Sequence, residues 1–206
     1  MMPGLLRAIA ADRRGTPVIE FALVAPVMLI LIMGLGDLAY QCYIQSVLTG
    51  AVQKAGRDST IQGNATQTGT IDDRVKAVVK TVASSATFTS TRANYDTYSA
   101  MAGEPFVDSK YPNTTAGVFD GVCNHGESYT DVNGNGRYDL DLSATGEGGA
   151  NDVAKYTMTV TYNRLFPLAS MIGWSRTVTL TATTILKNQP YATQNVNSGT
   201  TAGTCT

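Results

Sequence analysis

The chain is poor in the residues on which most catalysis runs. Among its 206 residues there is one histidine, His125, and there are three cysteines. A Ser-His-Asp or Cys-His device would have to use His125. Cys123 lies two residues before it, but adjacency in sequence does not create catalytic geometry. No two cysteines stand at zinc-knuckle or redox CxxC spacing. No glycine-rich loop precedes the Lys-Ser/Thr pair that would cradle a phosphate, and Gly134-Asn135-Gly136 lacks the strand-to-helix setting as well. Charge is scarce too: Asp, Glu, Lys and Arg make up 15% of the chain, against the usual quarter. Thr, Ser, Asn and Gly fill the gap, a composition common in exported β-rich proteins. The expectation is a non-catalytic protein.

The charges that remain are segregated. Residues 1–15 carry Arg7, Arg13 and Arg14 against Asp12, whereas residues 104–152 hold nine carboxylates against Lys110 and Arg137. A nucleic-acid partner would need a basic stripe on the folded body, and this pattern argues against one. Between the two regions residues 16–36 read TPVIEFALVAPVMLILIMGLG, with Glu20 the only charge. About 20 such residues cross a bilayer as a helix. Arginines precede the run and no positive charge follows until Lys54, so the positive-inside rule leaves residues 1–15 in the cytoplasm. The competing reading is a signal peptide cut near Gly34-Leu35-Gly36, which would release a soluble protein, an enzyme in the extreme case, starting near Asp37. The apolar block is longer than a typical signal core, and Glu20 near its start would help neither insertion nor cleavage. An ionisable residue in such a segment is by default a functional candidate.

Around Glu20 the sequence is Arg13-Arg14-Gly15-Thr16-Pro17-Val18-Ile19-Glu20-Phe21. A short basic leader, a glycine, and a glutamate five residues later at the head of an apolar helix resemble the type IV pilin signal. The stretch RRGTPVIEFALVAPVMLILIMGL, with the amphipathic stretch from Tyr40 through Arg57, more closely resembles the TadE-like family, pseudopilins of the tight-adherence (Flp-type) pilus system. The resemblance implies cleavage by a prepilin peptidase between Gly15 and Thr16. It implies an assembly role for Glu20 and Phe21, with Glu20 facing the freed Thr16 ammonium of a neighbouring subunit, because an unpaired carboxylate in apolar surroundings is expensive. Pro17 departs from the pattern: it suits a first helical turn but sits close to the scissile bond.

Beyond the run, Ile44, Val47, Leu48, Ala51, Val52 and Ala55 recur at helical spacing. One helix over 16–61 is expected, bent at Pro26 and weakened by Gly50 and Gly56. The alternative is two helices parted near residues 34–37. A head over 62–187 follows. Thr70 looks like the cap of a short helix to about Ser84, with Val75, Val78, Val79 and Val82 as its apolar stripe. Residues 155–163 and 176–187 alternate as half-buried strands. Their connection, through Leu165-Phe166-Pro167-Leu168 and Met171-Ile172-Gly173-Trp174, is expected to cap the sheet. Residues 188–206 have no period and read as a polar tail. The fold class is α+β: a long amino-terminal helix and a small head with a short helix and an antiparallel sheet.

The sharpest motif in the head is the acidic loop 131–141. Asp131-Val132-Asn133-Gly134-Asn135-Gly136-Arg137-Tyr138-Asp139 resembles the first nine positions of an EF-hand-type calcium loop. Asp131, Asn133, Asn135, Asp139 and the Arg137 carbonyl are candidate ligands to Ca2+ in a structural role. Leu142 stands where a bidentate glutamate is usual, and Asp141 or Glu127 is the candidate substitute. Strand-connecting turn chemistry is the alternative for Asn-Gly-Asn-Gly. Residues 103–108 echo 126–131 in a Gly-Glu-x-aromatic-x-Asp pattern, which either gives each aspartate a helper glutamate or is coincidence. If the head is exported, Cys123 and Cys205 are the pair expected to oxidise; two free thiols are the alternative.

Together these point to a minor pilin or pseudopilin in a bacterial inner membrane and, after assembly, in an extracellular pilus. Its partners would be other pilin subunits, the pilus assembly machinery, prepilin peptidase and the membrane. The alternative is an anchored or secreted calcium-dependent adhesin that never enters a filament.

Overall fold

A computed structural model of the chain describes residues 16–59, 68–108, 121–167, 173–189 and 200–206. Helix α1 runs over Thr16–Ser59, unbroken through Pro26 and through the glycines at 34 and 36. Helix α2 is Thr68–Lys80. The strands are β1 Thr87–Tyr95, β2 Ser128–Asp131, β3 Ala144–Thr145, β4 Val153–Asn163, β5 Thr177–Lys187 and β6 Thr201–Thr204, with a 3-10 turn at Ser99–Ala102. The strands form an antiparallel sheet in the order β3-β1-β4-β5 and a separate two-stranded ribbon of β2 and β6. The α+β class is as the sequence implies.

The two halves of α1 have different surroundings, and composition explains why. Up to Gly36 the helix is apolar on every side, so no face is singled out for the head. From Asp37 onward apolar residues fall on one stripe. Ile44, Leu48, Val52 and Ala55 on that stripe are buried against Ile71, Val75 and Val79 of α2 and Met158, Val160, Val178 and Ala182 of the sheet. Each fully buried Leu, Ile or Val contributes roughly 1.5–3 kcal/mol, which is what fixes the helix to the head.

Contacts along α1 give the head its direction. Phe166 lies beside Gly36, and Asp37 pairs with Arg164. Tyr40 meets Tyr162 edge-on at 5.8 Å, Gln45 donates to the Thr181 carbonyl at 3.1 Å, and Gly56 sits against Thr184 and Leu186. Strand β5 therefore runs alongside α1 in the same sense. The β4–β5 turn lies near Gly36 and the opposite end of the sheet near Gly56.

Gly56 is there for proximity. A Cβ on it would come within 2.5 Å of Thr184 Cγ2 and 2.9 Å of Leu186 Cδ1. Gly56→Val should destabilise the head by about 1–3 kcal/mol through overpacking, read as a lower denaturant midpoint; an unchanged midpoint would refute the close approach.

On the outer face, register aligns three rows of threonines across three strands: Thr91-Thr157-Thr183, Thr89-Thr159-Thr181 and Thr87-Thr161-Thr179. Within each row the β4 and β5 hydroxyls are 3.0–3.4 Å apart.

Several expectations need correction. Helix α2 starts at Thr68, so Thr70 lies inside its first turn, and Ile71 rather than Val78 completes the buried stripe; Val78 is exposed. The helix ends at Lys80, four residues before the expected end. The polar tail holds a strand, because β6 pairs with β2. Of the β4–β5 connection expected to cap the sheet, Leu165 and Trp174 do not do so, being 55% and 63% exposed. Leu168, Met171 and Ile172 lie outside the described residues, as do residues 60 and 61 at the expected end of α1.

Candidate functional site

The amino half of α1 leaves its apolar side chains uncovered. Val18, Leu23 and Leu35 are 68–73% exposed and Phe21 is 64% exposed. A soluble protein rarely shows a continuous apolar surface of this size, and the helix is long and apolar enough to cross a membrane. Thr16 is its first residue, while Gly15 lies outside the described residues. Glu20 is exposed within this shaft and makes no ion pair or hydrogen bond with a described residue. The arrangement is an apolar rod with one carboxylate near its amino end. Residues 15–57 match the TadE-like protein family. The amino-terminal segment is similar to that of TadE-like proteins. The match ends two residues before α1 does and leaves the head outside it. No curated protein and no solved structure matches the chain. The TadE-like segment suggests involvement in a tight-adherence pilus and association with pilus subunits, in a family that is generally non-enzymatic.

In the head, the acidic loop is built as a self-contained turn. The carboxylate of Asp131 accepts the backbone N–H groups of Gly134 at 2.6 Å and Gly136 at 2.7 Å, and faces the Thr201 hydroxyl at 3.4 Å. Those N–H donors, Gly136 above all, hold its carboxyl below the usual carboxylate range against the opposing effect of burial. Gly134 and Gly136 have φ of 74° and 73°, a left-handed conformation that glycine adopts without strain. The side-chain amides of Asn133 and Asn135 both donate to Asp139, at 2.8 and 2.5 Å.

The remaining candidate ligands are engaged in bonds of their own. Asp141 accepts from the backbone of Ser143 at 3.0 Å, and Glu127 accepts from the backbone of Asn124 at 2.8 Å. Arg137 donates its N–H to Asn135 Oδ1 at 2.7 Å. Among the described residues no three His, Cys, Asp or Glu side chains gather as a metal-holding group.

The echoed segments turn out to be spatial partners. Phe106 bridges Tyr129 in antiparallel fashion, Val107 donates its N–H to Ser128, and Thr130 donates its N–H to Pro105. Glu104 does not serve Asp108. It is buried and accepts the N–H groups of Val132 at 2.8 Å and Asp139 at 3.0 Å, tying both ends of the loop that Asp131 opens. Tyr138 packs edge-on between Phe106 and Tyr129, with ring centres 5.5 and 5.6 Å away. Behind this unit the Cys123–Cys205 disulfide anchors β6, and Gly203 of β6 lies against the Tyr129 ring, where a side chain would not fit. Closing a loop of this size stabilises by roughly 4 kcal/mol in the chain-entropy view. Cys42 is free and exposed on α1.

A buried polar cluster escaped the reading of the sequence. Asp72 of α2 accepts from Arg92 at 2.5 Å, Ser90 at 2.5 Å and the Tyr156 hydroxyl at 2.7 Å. Arg92 also pairs with Glu147 and lies over the Tyr156 ring, 4.5 Å from its centre. Burial alone would raise the carboxyl of Asp72, but the bonds from Arg92, Ser90 and Tyr156 outweigh it and hold the group below its ordinary value. The cluster joins α2 to β1, β4 and the 144–152 segment. Its bonds across these elements fix the head.

Proposed function

We propose that this protein is a minor pilin or pseudopilin of a tight-adherence pilus, held by α1 in a bacterial inner membrane with its head on the extracytoplasmic side. The carrying observation is the coincidence of the TadE-like match with an uncovered apolar helix that bears, near its amino end, one carboxylate with no partner among the described residues. Membrane residence stores the subunit, and in a filament the same shaft would pack against other shafts. Prepilin peptidase would cut between Gly15 and Thr16, making Glu20 the fifth residue of the mature chain. The direct test is to shear surface filaments and sequence the amino terminus of the recovered chain. Recovery of a chain starting at Thr16 supports the reading. A chain confined to the membrane, with filaments unaffected when it is deleted, would favour an anchored adhesin instead.

The head supports a second, independent proposal: Asp131, Asn133, Asn135, Asp139 and the Arg137 carbonyl take a structural calcium ion, aided by Asp141 or Glu127. The spacing of these oxygen-bearing residues, that of the first nine positions of a calcium loop, favours it. Saturating calcium at 100 times its dissociation constant should add about 2.7 kcal/mol to the stability of the full chain, read as a higher melting temperature that EDTA reverses. No shift would leave the turn held by its own N–H donors alone.

A further inference from the structure

The β4–β5 connection has a composition unlike the rest of the head surface. Leu165 and Trp174 stand exposed beside Arg164 and Arg176. The outer face of the adjoining sheet is hydroxyl-rich and uncharged in its three rows of threonines. An apolar pair with an indole and two guanidinium groups, at one end of a polar body, calls for an amphiphilic partner.

The position of this end relative to α1 indicates which partner. From Thr16 to Gly36 the helix climbs roughly 30 Å, the thickness of a bilayer's hydrocarbon core. Asp37, the next charge after Glu20, therefore falls where the helix leaves the lipid. The hairpin end is fastened at that level. Phe166 lies against Gly36, 3.3 Å from where a Cβ would be. Arg164 pairs with Asp37, and the Leu165 N–H donates to the same carboxylate at 3.2 Å. Arg164 also holds the indole of Trp174, 5.7 Å from the ring centre. Leu38 and Tyr43 of α1, each 56% exposed, continue the same belt around the helix.

Aromatic side chains concentrate at this depth in membrane proteins because the ring is apolar and its N–H or O–H still reaches water. Arg164 is engaged by Asp37, but Arg176 is exposed and pairs with no carboxylate among the described residues. Between Arg164, Phe166, Pro167 and Arg176 an open cleft of about 550 Å³ is left, lined by both apolar and cationic groups.

We propose that this hairpin end is a second membrane contact: Leu165 and Trp174 enter the headgroup layer of the bilayer that α1 crosses, and Arg176 takes the phosphate of an anionic lipid. The inference rests on the membrane-spanning reading of α1. Its consequence is that the head does not swivel freely on a single helix but is held at two points, with one side set toward the lipid.

Trp174 is the only tryptophan in the chain, so its fluorescence reports this end alone. The full chain is reconstituted into vesicles of phosphatidylethanolamine and phosphatidylglycerol, with bromine placed on the lipid chains either near the headgroup or near the terminal methyl. Bromines near the headgroup should remove about half or more of the emission, and terminal bromines clearly less, as expected for an interfacial indole. Arg176→Glu, or phosphatidylcholine in place of phosphatidylglycerol, should weaken the quenching, and Arg176→Lys should retain it. Absence of quenching in chains that float with the vesicles overturns the hairpin contact while leaving the anchor intact. Chains that fail to float overturn both. Equal quenching with and without anionic lipid refutes the role of Arg176. A blue shift that grows with protein-to-lipid ratio without quenching assigns the patch to a second copy instead.

Discussion

A chain carrying Glu20→Ala is expected to remain in the membrane and to disappear from the filament. The span loses its one charge, so insertion becomes easier, and the head keeps every contact it makes from Asp37 onward. What is lost is the partner for the Thr16 ammonium of a neighbouring subunit in the proposed assembly. At 4 Å such a pair is worth about 4 kcal/mol at an effective dielectric of 20, roughly a thousandfold in an association constant. Glu20→Gln keeps the shape and loses the charge, so it should fail nearly as badly, whereas Glu20→Asp should retain part of the assembly. Immunoblots of membrane and sheared-filament fractions decide the matter. Normal incorporation of the alanine chain would remove Glu20 from assembly and favour an anchored module.

The largest effect on the fold should come from Arg92. With Arg92→Met the carboxylates of Asp72 and Glu147 are left facing each other's neighbourhood without the guanidinium that both use, at sites only 5–10% exposed. Breaking a buried ion pair by removing one partner costs about 3–5 kcal/mol, a large share of the 5–15 kcal/mol that holds an ordinary domain together. Asp72→Asn should cost less, because Arg92 keeps Glu147. The two variants also separate by pH. Asp72 titrates below its ordinary value when folded, so its contribution is present above about pH 3.9 and is lost as pH falls through the folded value. Asp72→Asn should therefore flatten the acid limb of the stability curve below about pH 4 while lowering the plateau. Denaturant midpoints measured from pH 3 to pH 7 test both, and an unchanged midpoint for Arg92→Met would show the cluster to be energetically idle.

The parts legible in the sequence are those where one physical signal acts alone. The apolar run gave away the exposed half of α1, and the stripe from Ile44 to Ala55 gave its buried half. The alternation of Tyr156, Met158, Val160 and Tyr162 against threonines marked β4, and the export argument paired Cys123 with Cys205. Strand β1 was not legible because its inward residues include Ser90, Arg92 and Asn94, which bond to Asp72 and to the Ala144 carbonyl instead of contributing apolar surface. Asp72 looks like an ordinary acid at a helix start, and only the fold brings Arg92 and Tyr156 to it. Strand β6 is Thr-Ala-Gly-Thr, with no period at all; its place is set by Cys205 and by the room that Gly203 leaves for Tyr129. At the β4–β5 connection, apolar residues beside a strand suggest a core, yet Leu165 and Trp174 stand exposed.

The alignment of β5 with α1 has a mechanical meaning. If a filament holds the helix and a surface holds the far end of the head, the pull runs along the strands. The ladders joining β1, β4 and β5 are then loaded in shear, so their hydrogen bonds share the tension instead of parting one after another. The disulfide at the far end, linking residues 82 apart in sequence, limits how much chain can be drawn out there before the load returns to a covalent bond. In such a filament a head arranged this way would act as a tension member, holding while the fibre is stretched.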